Sequence, residues 1–318
     1  MKGSDPLQTL AQEKTLTGQN KGFRTGKDEI LKLWEKARTE ECYLEHADSV
    51  PIIRFHAFDH LGFVNAAFST RYGGVSTGCF AELNLGFDRG DSKENVRENY
   101  RLFCESMGVN TEILVLSDQV HETEIAAVTE EDTCKGKVKK TLKGIDGLIT
   151  DRKNVCLATS YADCVPLFFA DPVKKVIASS HAGWRGTAAK MGQKTVNQMQ
   201  KQFGCTKQDI IAVIGPSICQ NCYEVSQDVA DAFAKQYTKE QMAEIMFCSN
   251  TAEKKYQLDL WQANALQLKD AGLLAEHIHI SGICTCCNSR LLFSHRASHG
   301  KRGNLNGFIQ MTAASPVQ

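Results

Sequence analysis

Hydrophobic positions along the chain change period several times, and each change marks an element. In KDEILKLWEKARTEECYL the apolar residues Ile30, Leu31, Trp34 and Ala37 recur near helical spacing, which predicts an amphipathic helix. FVNAAFSTRYGGVSTG reads as a strand running into a Gly-Gly turn. DSKENVRENYRLFCESMG predicts a helix capped by Asp91 or Ser92 and ended at Gly108. Short apolar segments follow in quick succession: ILVL, EIAAV, GLIT, VCLATSY, VPLFFA and KVIASSH. They are too short for independent helices and rich in Val, Ile and Phe, so they read as strands. TAAKMGQKTVNQMQKQFG predicts one helix ending at Gly204, and IIAVIGPS another strand. Helices near 226–245 and 259–271 come next, and IHISGIC and NGFIQM supply the last strands.

This alternation, without a repeat or a low-complexity linker, predicts an α/β fold: a single layered domain with a large mixed sheet and flanking helices. Residues 1–27 are polar and read as a flexible tail, 28–50 as an N-terminal helix and connector, and 51–318 as the main domain.

Composition narrows the class. The 37 basic and 37 acidic residues cancel, which argues against a dedicated partner for nucleic acid or anionic membrane. No apolar run of about 18 residues suggests a membrane span, and the N-terminus lacks the apolar core of a secretory signal. The 13 cysteines are therefore expected as reduced thiols in a cytoplasmic protein.

Candidate chemistry centres on ADCVPLFFADPVKKVIASSHAGWRGT. A tight turn at Pro172-Val173 would bring Cys164 directly opposite His181, with Cβ atoms roughly 4.5–5.5 Å apart. His121, at the end of another strand in LVLSDQVHET, is a third donor. Cys plus two His suits zinc and leaves the open position that catalysis requires. Spacing by itself still favours the plainer reading, a buried thiol and hydrogen-bonded histidines.

Cys219-Gln220-Asn221-Cys222 has redox or zinc spacing but no thioredoxin-like context. Cys284-Thr285-Cys286-Cys287 lacks a second pair at finger spacing, although His295 and His299 lie downstream; ordinary thiols are the favoured reading of both groups. Arg71 precedes Gly73-Gly74, and Arg185 in HAGWRGT precedes a helix; either suits an anion such as phosphate, or simply faces solvent. Neither glycine-rich stretch matches a P-loop or dinucleotide fingerprint. Asp163 adjoins Cys164 and is placed to orient His181 or bind substrate; Asp146 in GIDGLIT is a similar candidate, and local amides would satisfy either.

FSTRYGGVSTG, LNLG, GDSKENVRENY, SDQVH, DGLIT, ADCVPLFFADP, HAGWRGT, IGPSI, YEV and the terminal CT…FSHR…NGFI resemble, in order, the YfiH-like laccase-domain family. The resemblance covers roughly Ile52 to Met311, and ADCVPL with HAGWRGT carries most of its specificity. Members have been called multicopper polyphenol oxidases, purine nucleoside phosphorylases and peptidoglycan-editing factors. The resemblance implies that family's layered α/β architecture, related to a toxin's Cys/His catalytic domain, and a metal triad of His121, Cys164 and His181.

It further implies phosphorolysis of adenosine, inosine, guanosine and methylthioadenosine, with adenosine deamination. Zinc is the expected ion; copper is suggested by the family name alone, since a multicopper site needs more histidines than one such cluster supplies. Cys164, His181, Asp163 and Arg185 are then the catalytic candidates, and Arg71, Arg185 and Arg296 the phosphate binders. Purine nucleosides and phosphate are the expected partners, with no protein partner indicated. Two readings compete: a Cys164 thiolate activated by His181 that hydrolyses an amide of a cell-wall precursor, and a non-catalytic metal-binding module. The chain departs from the family pattern at Glu122, where glycine is common, and at His295, where an aromatic is usual.

Overall fold

A computed structural model describes residues 25–312. The polar tail expected over 1–27 lies outside the described residues except for its last three. Among the described residues two large mixed sheets dominate. In spatial order the first contains Cys42–Glu45, Ile52–Phe55, Val64–Ser69, Leu305–Met311, Cys156–Tyr161, Leu114–Asp118 and Leu142–Lys143. The second contains Ile278–Ile280, Ile211–Ile214, Val165–Asp171, Val176–Ala182, Gly147–Thr150 and Ile125–Ala127. A small third sheet joins Glu224–Val225, Lys255–Leu258 and Met246–Asn250.

Two large sheets replace the single one expected, because the strand run is buried on both faces. Phe168 and Ala170 point toward Phe68, Leu157 and Ile309 of the first sheet. Leu167 and Phe169, one residue out of phase, point toward Met191, Val196, Met199 and Leu268 on the helices. Gly307 permits the sheets' close approach, because a Cβ there would overlap the Phe168 ring. The helix Lys93–Met107 covers the outer face of the first sheet with Val96, Tyr100, Phe103 and Met107. Its ends match the sequence reading: the Ser92 side chain accepts from the amides of Glu94 and Asn95, and Gly108 closes it at φ 71°.

The helix Lys27–Ala37 buries Leu33, Trp34 and Ala37 in the inter-sheet core, and Cys42–Glu45 forms the first sheet's edge, so residues 28–50 are built into the main body. The helix expected after Gly186 is two helices, Trp184–Ala188 and Met191–Phe203, separated at Lys190 by a left-handed backbone of φ 63°. The segment near 226–245 likewise divides into Gln227–Ala234 and Lys239–Ile245, the second restarted by a Thr238–Gln241 capping box.

The hairpin register also differs from expectation. The connecting loop spans Pro172–Lys175, with Lys175 at φ 54°, and Asp171 Oδ1 accepts from the amides of Val173 and Lys174 at 2.8 Å each. His181 therefore pairs with Pro166 and Ala182 with Val165, which leaves Cys164 just beyond the ladder, beside Gly183.

Candidate metal centre and its cavity

His181 ends a strand whose odd-numbered residues face the inter-sheet layer, and its ring lies 5.6 Å from that of Tyr161. Cys164 lies at the mouth of the neighbouring strand, after Asp163 at φ 83°. His121 comes from the loop following Leu114–Asp118 and holds φ 64°. Left-handed backbone at two non-glycine residues costs of order 1–3 kcal/mol each, and surrounding contacts must hold it. The ligand atoms of His121, Cys164 and His181 all lie within 4.8 Å of one another.

Gly183 makes that convergence possible. A Cβ there would stand 3.1 Å from Cys164 Sγ and 3.2 Å from His121 Cδ2. The missing side chain at the position beside Cys164 is the gap into which both histidines reach. The expected neighbourhood of Cys164 and His181 is thus met through a diagonal contact across a glycine.

Asp146 organises both histidines. Its Oδ1 lies 2.8 Å from His181 Nδ1 and accepts from the His121 amide at 3.1 Å. Oδ2 accepts from the amides of Val120 and Glu122 at 3.0 and 3.2 Å. The His181 amide in turn donates to the Asp146 carbonyl at 2.8 Å. Burial would raise the Asp146 pKa, but the His181 contact and these amides hold it below the usual carboxylate value. A carboxylate only accepts, so His181 Nδ1 carries a proton and Nε2 is the donor atom left for a metal. Burial also opposes charge at Cys164, yet His181 and His121 pull its thiol down to about 6. His181 is lifted to about 9 against its own burial, chiefly by the Cys164 thiolate and Asp146. The thiolate is the ligand form.

Asp146→Asn replaces one carboxylate oxygen, on which two N–H groups now converge, by an amide donor. We expect metal affinity at the triad to fall about 10–100-fold, measured by competition with a chromophoric chelator; unchanged affinity would remove Asp146 from this role.

The triad opens into a cavity of about 490 Å³, a size suited to a small ligand. Arg185, Arg296, Arg302, Arg89 and His295 line it, with Tyr223 and Trp184 among its aromatic walls. Arg185 stacks on Trp184 at 4.3 Å, and Arg296 donates to the carbonyls of Cys222 and Glu224 at 3.0 and 2.9 Å. Asp163 borders the cavity, but its carboxylate accepts from Thr285 Oγ1 at 2.6 Å and the Arg296 amide at 2.7 Å. Orienting His181 thus falls to Asp146. Glu224 is exposed, makes its side-chain contact with Ser249, and is not among the lining residues.

Arg71 does not line the cavity, contrary to its expected role as a phosphate binder. Its guanidinium donates to the Ala81 and Ser289 carbonyls and stacks on Phe293 at 4.6 Å. Its donors tie two loops together.

Sequence reasoning missed Arg302 and Arg89. Arg302 is only 8% exposed, and its Nε has no hydrogen-bond partner among the described residues. Nη1 donates to Gly303 O and Asn304 Oδ1, while Nη2 reaches His295 Nδ1 at 3.5 Å. Burial, and then the nearby Arg89 cation, pull the Arg302 pKa down to about 10. Two cations held together beside an unmatched buried donor make a site for an anion. The run GKRGN, with glycines on either side of Arg302, was the available sequence signal.

No helix among the described residues is long and apolar enough to cross a membrane. Residues 65–312 match the family model described as multi-copper polyphenol oxidoreductase laccase. The chain is 40% identical over 253 residues to purine nucleoside phosphorylase YlmD of Bacillus subtilis, covering 79% of this chain and 90% of that one. It is 34% identical over 233 residues to a protein named adenosine deaminase RL5 from an unknown prokaryotic organism, covering 72% and 87%. Among solved structures, the hypothetical protein YfiH of Bacillus licheniformis superposes with a TM-score of 0.79 at 33% identity, covering 86% of this chain and all of that one.

Proposed function

The chain belongs to the multi-copper polyphenol oxidoreductase laccase family, the group that includes YfiH and YlmD, and from that premise we propose that it is a zinc-dependent purine nucleoside phosphorylase that also deaminates adenosine. One observation carries the reading. A three-donor Cys/His centre and an under-neutralised arginine, Arg302, border the same cavity.

The donors fit zinc: one thiolate and two imidazoles converge at a glycine that leaves them room, and the group contains three protein donors among the described residues. Zinc held by His121, Cys164 and His181 would supply Lewis-acid polarisation and water activation near neutral pH. Several copper ions would need more histidines than this cluster offers.

The remaining chemistry falls to the chain's own residues. Arg302 and Arg89, with Arg185 and Arg296 nearby, hold phosphate by charge-assisted hydrogen bonds. Tyr223, Trp184 and Ile218 present apolar surface for base and ribose, and keep water from the sugar during transfer. In phosphorolysis a phosphate oxygen bonds to C1′ as the bond from C1′ to the base nitrogen breaks. The departing base takes up a proton, and sugar 1-phosphate is left. In deamination the elements of water add at C6 and ammonia leaves. The names of the relatives support both activities.

The test is release of free base from adenosine, inosine, guanosine and methylthioadenosine with and without phosphate, alongside metal analysis. Phosphate-dependent base release by zinc-loaded protein is expected. Amide hydrolysis by metal-free protein would instead favour Cys164 as a nucleophile, and inactivity toward both substrate sets would favour a binding module.

A further inference from the structure

The two Cys-x-x-Cys pairs that the sequence left apart converge in space. Cys219 precedes and Cys222 ends the short turn Gln220–Cys222, and Cys284 precedes and Cys287 lies within a second turn after the strand Ile278–Ile280. Hydrogen bonds from the Ser217 amide to Ile283 O and from the Thr285 amide to Ser217 O, each 3.1 Å, hold the two loops side by side. The four sulfurs then lie within 4.8 Å of one another. Cys222 Sγ is 3.5 Å and Cys219 Sγ 3.9 Å from Cys287 Sγ. All four are free thiols, and none lines the catalytic cavity.

We infer that Cys219, Cys222, Cys284 and Cys287 form a second metal site, a closed tetrathiolate centre for one zinc ion that clamps the two loops. Zinc–sulfur bonds of about 2.3 Å in a tetrahedron put neighbouring sulfurs about 3.8 Å apart, which the contacts of Cys222 and Cys219 with Cys287 bracket. Backbone N–H groups already point at one sulfur: the amides of Cys219 and Cys287 each donate to Cys284 Sγ at 3.3 Å. Such donors stabilise a thiolate and fix its direction, as the outer shell of a metal site does. The thiolates of a four-iron cluster bind separate irons and stand further apart, so the spacing favours a single ion. Binding one divalent ion displaces the four thiol protons to solvent.

The clamp differs in kind from the triad, because four protein ligands leave no open position. It acts on the cavity through its wall. The Cys222 carbonyl accepts from Arg296, and Thr285 donates to Asp163, the residue before Cys164.

The test is metal content of the full chain by mass spectrometry. About two zinc ions per chain are expected, falling to about one in Cys287→Ser and to about one in Cys164→Ala. Cys164→Ala leaves the clamp intact, so its reconstitution with cobalt(II) should give an intense thiolate-to-cobalt charge-transfer band and tetrahedral ligand-field bands. This reads the clamp even if Cys287→Ser fails to fold, and separates failure of the clamp from failure of the triad. A cobalt spectrum without these bands would overturn the inference. So would disulfides among these four residues in the purified protein, or an iron–sulfur chromophore.

Discussion

Cys164→Ala should remove the metal of the His121–Cys164–His181 centre and lower kcat/KM for phosphorolysis by at least about 10³-fold, roughly 4 kcal/mol of transition-state stabilisation. Cys164 is the anionic member of the triad, its thiol drawn down to about 6 by the two histidines. Without it two imidazoles remain, one bound through Nδ1 to a buried carboxylate, and an imidazole carries no negative charge to offset that of a divalent ion. The truncation is small and close to Gly183, so folding should survive and circular dichroism should be unchanged. Metal content, the melting curve and turnover then decide the matter together. Full turnover by a variant with an empty triad would refute the metal-dependent reading.

Arg302→Met should raise KM for phosphate about 100-fold, about 2.7 kcal/mol, while leaving adenosine deamination within a few-fold of the unmodified protein. Deamination consumes water and needs no anion, so the two activities should separate. Arg302 is suited to this test because its charge is buried beside a second cation and its Nε lacks an acceptor. Methionine removes the charge at similar length, and the lost bonds to Gly303 O and Asn304 Oδ1 are local. Equal losses of both activities would instead indicate a general disturbance of the cavity.

Much of the fold was legible in the apolar periodicity. Six of the seven strands over 114–182 fall where short Val-, Ile- and Phe-rich runs predict them, since strands buried on both faces, as most of these are, need such a run; the two-residue strand Leu142–Lys143 has none. Those runs do not say which sheet each strand joins. VCLATSY and VPLFFA look alike and are consecutive, yet they lie in opposite sheets.

The helix break at Lys190 was hidden for another reason. A lysine in left-handed backbone has no sequence signature, and here its ammonium rests 3.2 Å from the centre of the Tyr237 ring, on a segment distant in sequence.

By itself the sequence supplied the candidate metal ligands, the strand run that carries two of them and, through ADCVPL and HAGWRGT, the family. These are properties of short contiguous stretches. Tertiary structure alone decided which carboxylate orients His181, since Asp146 and Asp163 both flank strands and only packing aims one of them at the imidazole. It decided that Arg71 ties loops while Arg302 faces the cavity, and that two distant Cys-x-x-Cys pairs meet. Each of those outcomes depends on where segments far apart in the chain come to rest, and local periodicity carries no record of that distance.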